Sequence, residues 1–162
     1  MEQQSHSQWY IGAPNGVILC VNRRRGCELT GELYHSYRTE PTPFRDLGQM
    51  TLLMEKLFDE LQFPHPGTNK RSFFPKPTTY AQRRERKRIM SDEQLLQKHG
   101  DIGTFIVRVQ HRQNSSWQGR ITWMEEDKTI QFRSVWEMIK LIESAMDTVS
   151  TSEEGEEPNW TK

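Results

Sequence analysis

The sequence predicts an α+β fold: a duplicated strand-hairpin-(short strand)-helix unit, with antiparallel sheet backed by one helix per copy. Three observations lead there. The chain matches itself without gaps at an offset of 88 residues, where 18–59 and 106–147 share 10 of 42 positions. Unrelated sequences of average composition would share about 2 or 3. Within each copy the apolar period changes from two to 3.6, the signature of strands followed by a helix. Each change falls at a helix start signal, Asp46 with Gln49 and Ser134 with Glu137.

The elements follow in order. In the second copy Phe105, Val107 and Val109 alternate with Ile106, Arg108, Gln110 and Arg112, giving a half-buried strand. Gln113 to Ser116 are turn formers that close a hairpin. Trp117, Gly119, Ile121 and Trp123 then alternate with Gln118, Arg120 and Thr122, and Glu125-Glu126-Asp127 makes the next turn before Ile130 and Phe132. The first copy repeats this with Val17, Leu19 and Val21, a turn near Arg25-Gly26, and Leu29, Gly31 and Leu33. Both helices carry apolar residues at the 3, 4, 7 spacing: Leu47, Met50, Met54, Leu57, Phe58 and Leu61 in one, Val135, Met138, Ile139, Ile142, Ala145 and Met146 in the other. Trp123 and Trp136 are expected in the core or between the copies.

Four regions result: a first copy over 1–63, a Pro-rich then basic linker over 64–104, a second copy over 105–147 and an acidic, disordered tail over 148–162. The linker holds four of the eight prolines between Phe63 and Pro77, then RRERKR from Arg83 to Arg88, then a short capped helix from Ser91 to His99. A copy of about 45 residues is marginal alone, so the two are expected to pack as one body.

Composition bounds the function. The 162 residues carry 22 basic and 22 acidic side chains, for a net charge of zero. A binder of polyanions that works by overall charge is therefore excluded. The balance conceals a local excess, since residues 69–90 hold 8 basic and 1 acidic side chain. No apolar run approaches the roughly 18 residues of a membrane span, and no signal peptide opens the chain, so a cytoplasmic protein without a membrane partner is expected. Cys20 and Cys27 read as free thiols.

Catalytic signatures are missing. The five histidines are scattered, with no metal-ligand spacing, and no phosphate-binding glycine loop or nucleophile elbow occurs. No enzyme, cofactor or metal is expected. Two binding readings remain. The first is an accessory or regulatory protein that touches DNA or RNA. It would use the basic linker (Arg83, Arg84, Arg86, Lys87, Arg88) and an outward sheet face bearing Arg108, Arg112 and Arg120. The second is a protein–protein adaptor or inhibitor anchored by Phe73, Phe74 and Tyr80.

The string WQGRITWMEEDKTIQFRSVWEMI resembles the three-stranded-sheet-plus-helix domain of integrase arm-binding and plant AP2 proteins over about 30 residues. That resemblance implies a sheet that enters the DNA major groove, through Arg108, Arg112 and Arg120. The first copy keeps only Arg24 of the three arginines. Across most of its length, through LYHSY…PFRD…LMEKLFDELQFP and FIVRVQHRQNSSWQGRITW…FRSVWEMIKLIESAM, the chain is similar to small uncharacterised proteins of Firmicutes bacteria. That resemblance implies a bacterial cytosolic setting and no particular activity.

Overall fold

A computed structural model describes residues 9–74 and 86–154, with 151–154 as backbone only. In chain order the elements are β1 (Val17–Arg25), β2 (Glu28–His35), β3 (Thr42–Phe44), α1 (Leu47–Leu61), α2 (Asp92–Leu96), β4 (Gly103–His111), β5 (Gln118–Trp123), β6 (Lys128–Phe132) and α3 (Val135–Glu154). The strands form one six-stranded antiparallel sheet in the order β3-β2-β1-β4-β5-β6. The chain is thus α+β, and its two halves share a single sheet. Among the described residues, no helix is long and apolar enough to cross a membrane.

The halves meet where β1 pairs with β4. Ile18 lies opposite Ile106, and these are the residues that the 88-residue offset equates. Around them the register is two-fold: Val17 faces Val107 and Leu19 faces Phe105. The hairpins repeat each other to the residue. Val21 pairs with Gly31 and, past a shift in register, Arg23 pairs with Thr30. Val109 pairs with Gly119 and, past the same shift, His111 pairs with Gln118. Gly31 faces Phe44 as Gly119 faces Phe132. The helices begin 88 residues apart, α1 behind the Asp46 cap and α3 behind Ser134, whose hydroxyl accepts from Glu137 N at 3.0 Å.

Both helices cover one face of the sheet. Met50, Met54 and Phe58 of α1 and Met138, Ile142 and Met146 of α3 bury against Val17, Leu19, Leu33, Phe105, Val107 and Ile121. This layer excludes water from one side of the central strands and is the main source of hydrophobic stabilisation. The opposite face carries a smaller core. Ile18, Cys20 and Ile106 are covered there by Ile11, by Met90 and by Leu95 of α2.

Several expectations change. Residues 86–96 are no bare linker, because Ile89 N and Met90 N donate to Ser36 O and Met90 and Leu95 are buried. The centre of the second sheet face is therefore covered. The region expected to begin a disordered tail at 148 is helical through Glu154, with Val149 packed on the main core. Period 3.6 continues from Ile142 through Met146 to Val149, and that extra apolar position holds the turn. Trp136 is not core: it is exposed, with Lys140 Nζ 5.1 Å from the ring centroid.

Candidate functional site

A groove follows from the end of α1. Gln62 terminates that helix in the left-handed region, and the chain turns back as a strap over 63–74. Gly67 N donates to Arg112 O at 2.8 Å, and the Thr68 and Ser115 hydroxyls lie 3.0 Å apart. Lys70 pairs with Asp59. Between strap, α1 and the β4–β5 loop lies an open groove of about 880 Å³, lined by Leu52, Glu55, Lys70, Arg112 and Trp117 among others.

Arg112 is the buried member of this group. It was expected on the outward sheet face; instead its side chain is 3% exposed on the helix face. The register shift between Val109 and His111 explains this, because one inserted residue inverts the alternation beyond it. Arg112 Nη1 donates to Asp59 Oδ1 at 2.7 Å and Nε donates to Pro64 O at 2.7 Å. Its guanidinium carbon stands 5.9 Å from the centroid of the Phe58 ring. Burial pushes the Asp59 carboxyl up, but hydrogen bonds from Lys70 and Arg112 outweigh burial and hold it below the usual carboxylate range. This network ties the end of β4 to α1 and the strap and engages Arg112 Nε and Nη1 with acceptors of the same chain.

The related position in the first half behaves alike. Arg24, displaced by the same register shift, donates to Asp147 at 2.6 Å. Each pair joins a strand of one half to the helix of the other. Two identities in the self-match, Arg24/Arg112 and Asp59/Asp147, are thus the two ends of one repeated contact. That signal was present in the sequence and is the one that could have placed Arg112.

The remaining expected site residues are dispersed. Arg108 lies on the other sheet face, opposite Arg120, and stacks 5.0 Å from the Tyr10 ring centroid. Arg120 is exposed. Arg86 pairs with Glu60 at 2.9 Å and stacks on Tyr37 at 5.6 Å; Arg88 pairs with Asp92; Lys87 is exposed. Arg83, Arg84 and Tyr80 lie outside the described residues. The structure therefore brings Arg108 and Arg120 together, sends Arg112 to the opposite face and engages Arg86 and Arg88 with acids of the same chain. Phe73 and Phe74 follow Lys70 in the strap, 101% and 85% exposed.

Compared with known proteins, the chain matches no family model, no curated protein and no solved structure. Its chemistry must be read from its own side chains. Among the described residues no three of His, Cys, Asp and Glu come together as a metal set. Burial raises the Cys20 thiol to about 12, far from a reactive thiolate.

His35 gives a testable pH dependence. Burial, then the charges of Arg86 and Arg38, lower its pKa from 6.5 to about 4 against an opposing pull from Glu60. Its Nδ1 accepts from Tyr37 N at 3.1 Å, which requires the neutral ring. The unfolded chain binds the proton first, so the stability from neutral His35 is complete above about pH 6.5 and is lost as pH falls toward 4. Replacing His35 by Gln should flatten this part of a urea-denaturation pH profile by about 1–2 kcal/mol, allowing for solvent screening of a partly exposed ring. An unchanged slope would count against the assignment.

Proposed function

We propose that this is a non-enzymatic, cytoplasmic binding protein that docks onto another protein through Phe73 and Phe74 of its strap. The observation that carries the reading is the exposure of Phe73 and Phe74 beyond an anchored segment. Two adjacent aromatic rings left in water forgo about 2 kcal/mol each of burial, which a docked partner restores. Lys70 and Arg71 flank them, so the fitting surface is an apolar slot with an acidic rim. The halves are proposed to descend from one duplicated unit. The shared hairpin registers and the reciprocal Arg24–Asp147 and Arg112–Asp59 pairs support that descent.

A second reading, contact with DNA or RNA, is favoured by the basic excess over residues 69–90, interleaved with Phe73, Phe74 and Tyr80. It now rests on that segment and not on a shared arginine face. One experiment separates the two. A photo-crosslinking side chain at Phe73 in the intact protein should give a discrete adduct that resists nuclease, loses intensity at least about tenfold with Phe74→Ala and tolerates salt. A nuclease-sensitive adduct that fades steeply with salt would transfer the proposal to nucleic acid. No adduct of either kind would sink both readings.

A further inference from the structure

We infer that the outer edge of β6 is a homodimer interface, at which two copies of this chain pair antiparallel about Ile130. The sheet has two free edges, and they are built differently. β3 has three residues with Pro43 at its centre, so it lacks a backbone donor there and resists a further strand. β6 has five residues and no proline, and among the described residues it pairs only with β5. Its residues 128–131 are exposed, including Ile130 at 48%. Ile130 lies opposite Ile121, which sets it on the helix-bearing face. There it borders an apolar groove of about 300 Å³ that also includes Trp123 and Leu141.

Charge selects a second copy as the occupant. Centring the pairing on Ile130 aligns all five residues of the strand and sets Asp127 opposite the partner's Arg133, once on each side of the axis. Thr129 then faces the partner's Gln131, Lys128 faces the partner's Phe132, and no like charges oppose each other. Asp127 uses Oδ1 to accept from Trp9 Nε1 at 2.8 Å, which leaves Oδ2 for the arginine. Among the described residues Arg133 pairs with Glu137 at 3.5 Å, and its side chain is 88% exposed. The two Ile130 side chains meet on the axis, as Ile18 and Ile106 meet where the halves join. The dimer continues the sheet to twice its width.

A five-residue edge buries less than a standard interface, so the dimer is weak, with Kd on the order of 100 µM. Sedimentation velocity on the full chain, from about 5 to 500 µM, should show monomer passing into dimer. Ile130→Lys and Ile130→Glu should each remain folded, because the site is at an exposed edge, and each should weaken dimerisation about tenfold or more by placing like charges on the axis. Mixing the two variants should restore dimer through a lysine–glutamate pair across the axis. Asp127→Arg and Arg133→Asp should likewise weaken it singly and recover together. A protein that stays monomeric throughout, a dimer that both Ile130 variants leave intact, or folded variants that fail to reassociate when mixed would each overturn the proposal. None of these outcomes depends on the strap.

Discussion

Arg112→Ala is expected to lower stability by about 3 kcal/mol, while Arg24→Ala lowers it by less than about 1 kcal/mol, although the two arginines hold related positions. The difference is burial. Arg112 is 3% exposed, and its loss strands the Pro64 carbonyl, removes a donor from Asp59 and leaves a void over Phe58. Arg24 is 27% exposed and faces an Asp147 that is 65% exposed, so water replaces most of what the pair supplies. Arg112→Lys should recover little, since one ammonium cannot reach Pro64 O and Asp59 Oδ1 in the fork geometry of a guanidinium. Asp59 keeps Lys70 in every variant, which places the cost below that of a carboxylate left wholly alone. The sign with pH follows from the lowered Asp59 carboxyl. The network's contribution is complete above the unfolded-state value near 4 and is lost as pH falls through the lower folded value. The gap between wild type and Arg112→Ala in urea denaturation should therefore narrow in acid. Equal effects at Arg112 and Arg24 would mean that burial does not govern the pair.

That contrast also shows what the sequence could and could not reveal. Period two, period 3.6 and the caps at Asp46 and Ser134 are local properties, and they placed β1, β2, β4, β5 and both long helices. The offset of 88 is a global property, and the two hairpins have equivalent registers at that offset. The register shift after Val109 escaped because nothing in QHRQNSS marks which residue is extra, and one extra residue inverts every side chain beyond it. The second core escaped for another reason. Ile18, Cys20 and Ile106 read as the weaker phase of half-buried strands, and their cover comes from Ile11, Met90 and Leu95, remote in sequence and too sparse to announce themselves. The outward face expected for Arg108, Arg112 and Arg120 holds for Arg108 and Arg120 and fails at Arg112, which lies past the register shift. Phe73 and Phe74 lie in an irregular segment with no helix or strand of their own to pack in, and they are exposed.

The largest effect is expected from the two glycines that the self-match preserves. Gly31 and Gly119 sit opposite Val21 and Val109, one pair short of the register shift in each hairpin. A Cβ on Gly119 would press on the Arg108 carbonyl oxygen and stand 2.9 Å from Val109 Cα; one on Gly31 would press on the Cys20 carbonyl oxygen and stand 3.0 Å from Phe44 Cζ. The nearest obstacle in each case is main chain held by sheet hydrogen bonds, so no rotamer change relieves it. Alanine must push two strands apart, which should cost about 3 kcal/mol at either site, less a few tenths gained by restricting the unfolded chain. For a chain of this size that is a fall in Tm of about 6–12 °C. Gly26 is the control. It adopts φ +62 in the β1–β2 turn, where a Cβ meets nothing within 4 Å, so Gly26→Ala should cost only about 1 kcal/mol of backbone strain. The two close contacts lie in different hairpins and share no partner, so their costs should add. The Gly31→Ala/Gly119→Ala double variant then loses about 6 kcal/mol of a total of about 5–15, enough to leave much of it unfolded at 25 °C if the wild type lies at the lower end. Thermal and urea denaturation of the three single variants and the double test this directly. If Gly119→Ala melts within about 2 °C of wild type, the strands at the register shift approach less closely than the fold requires.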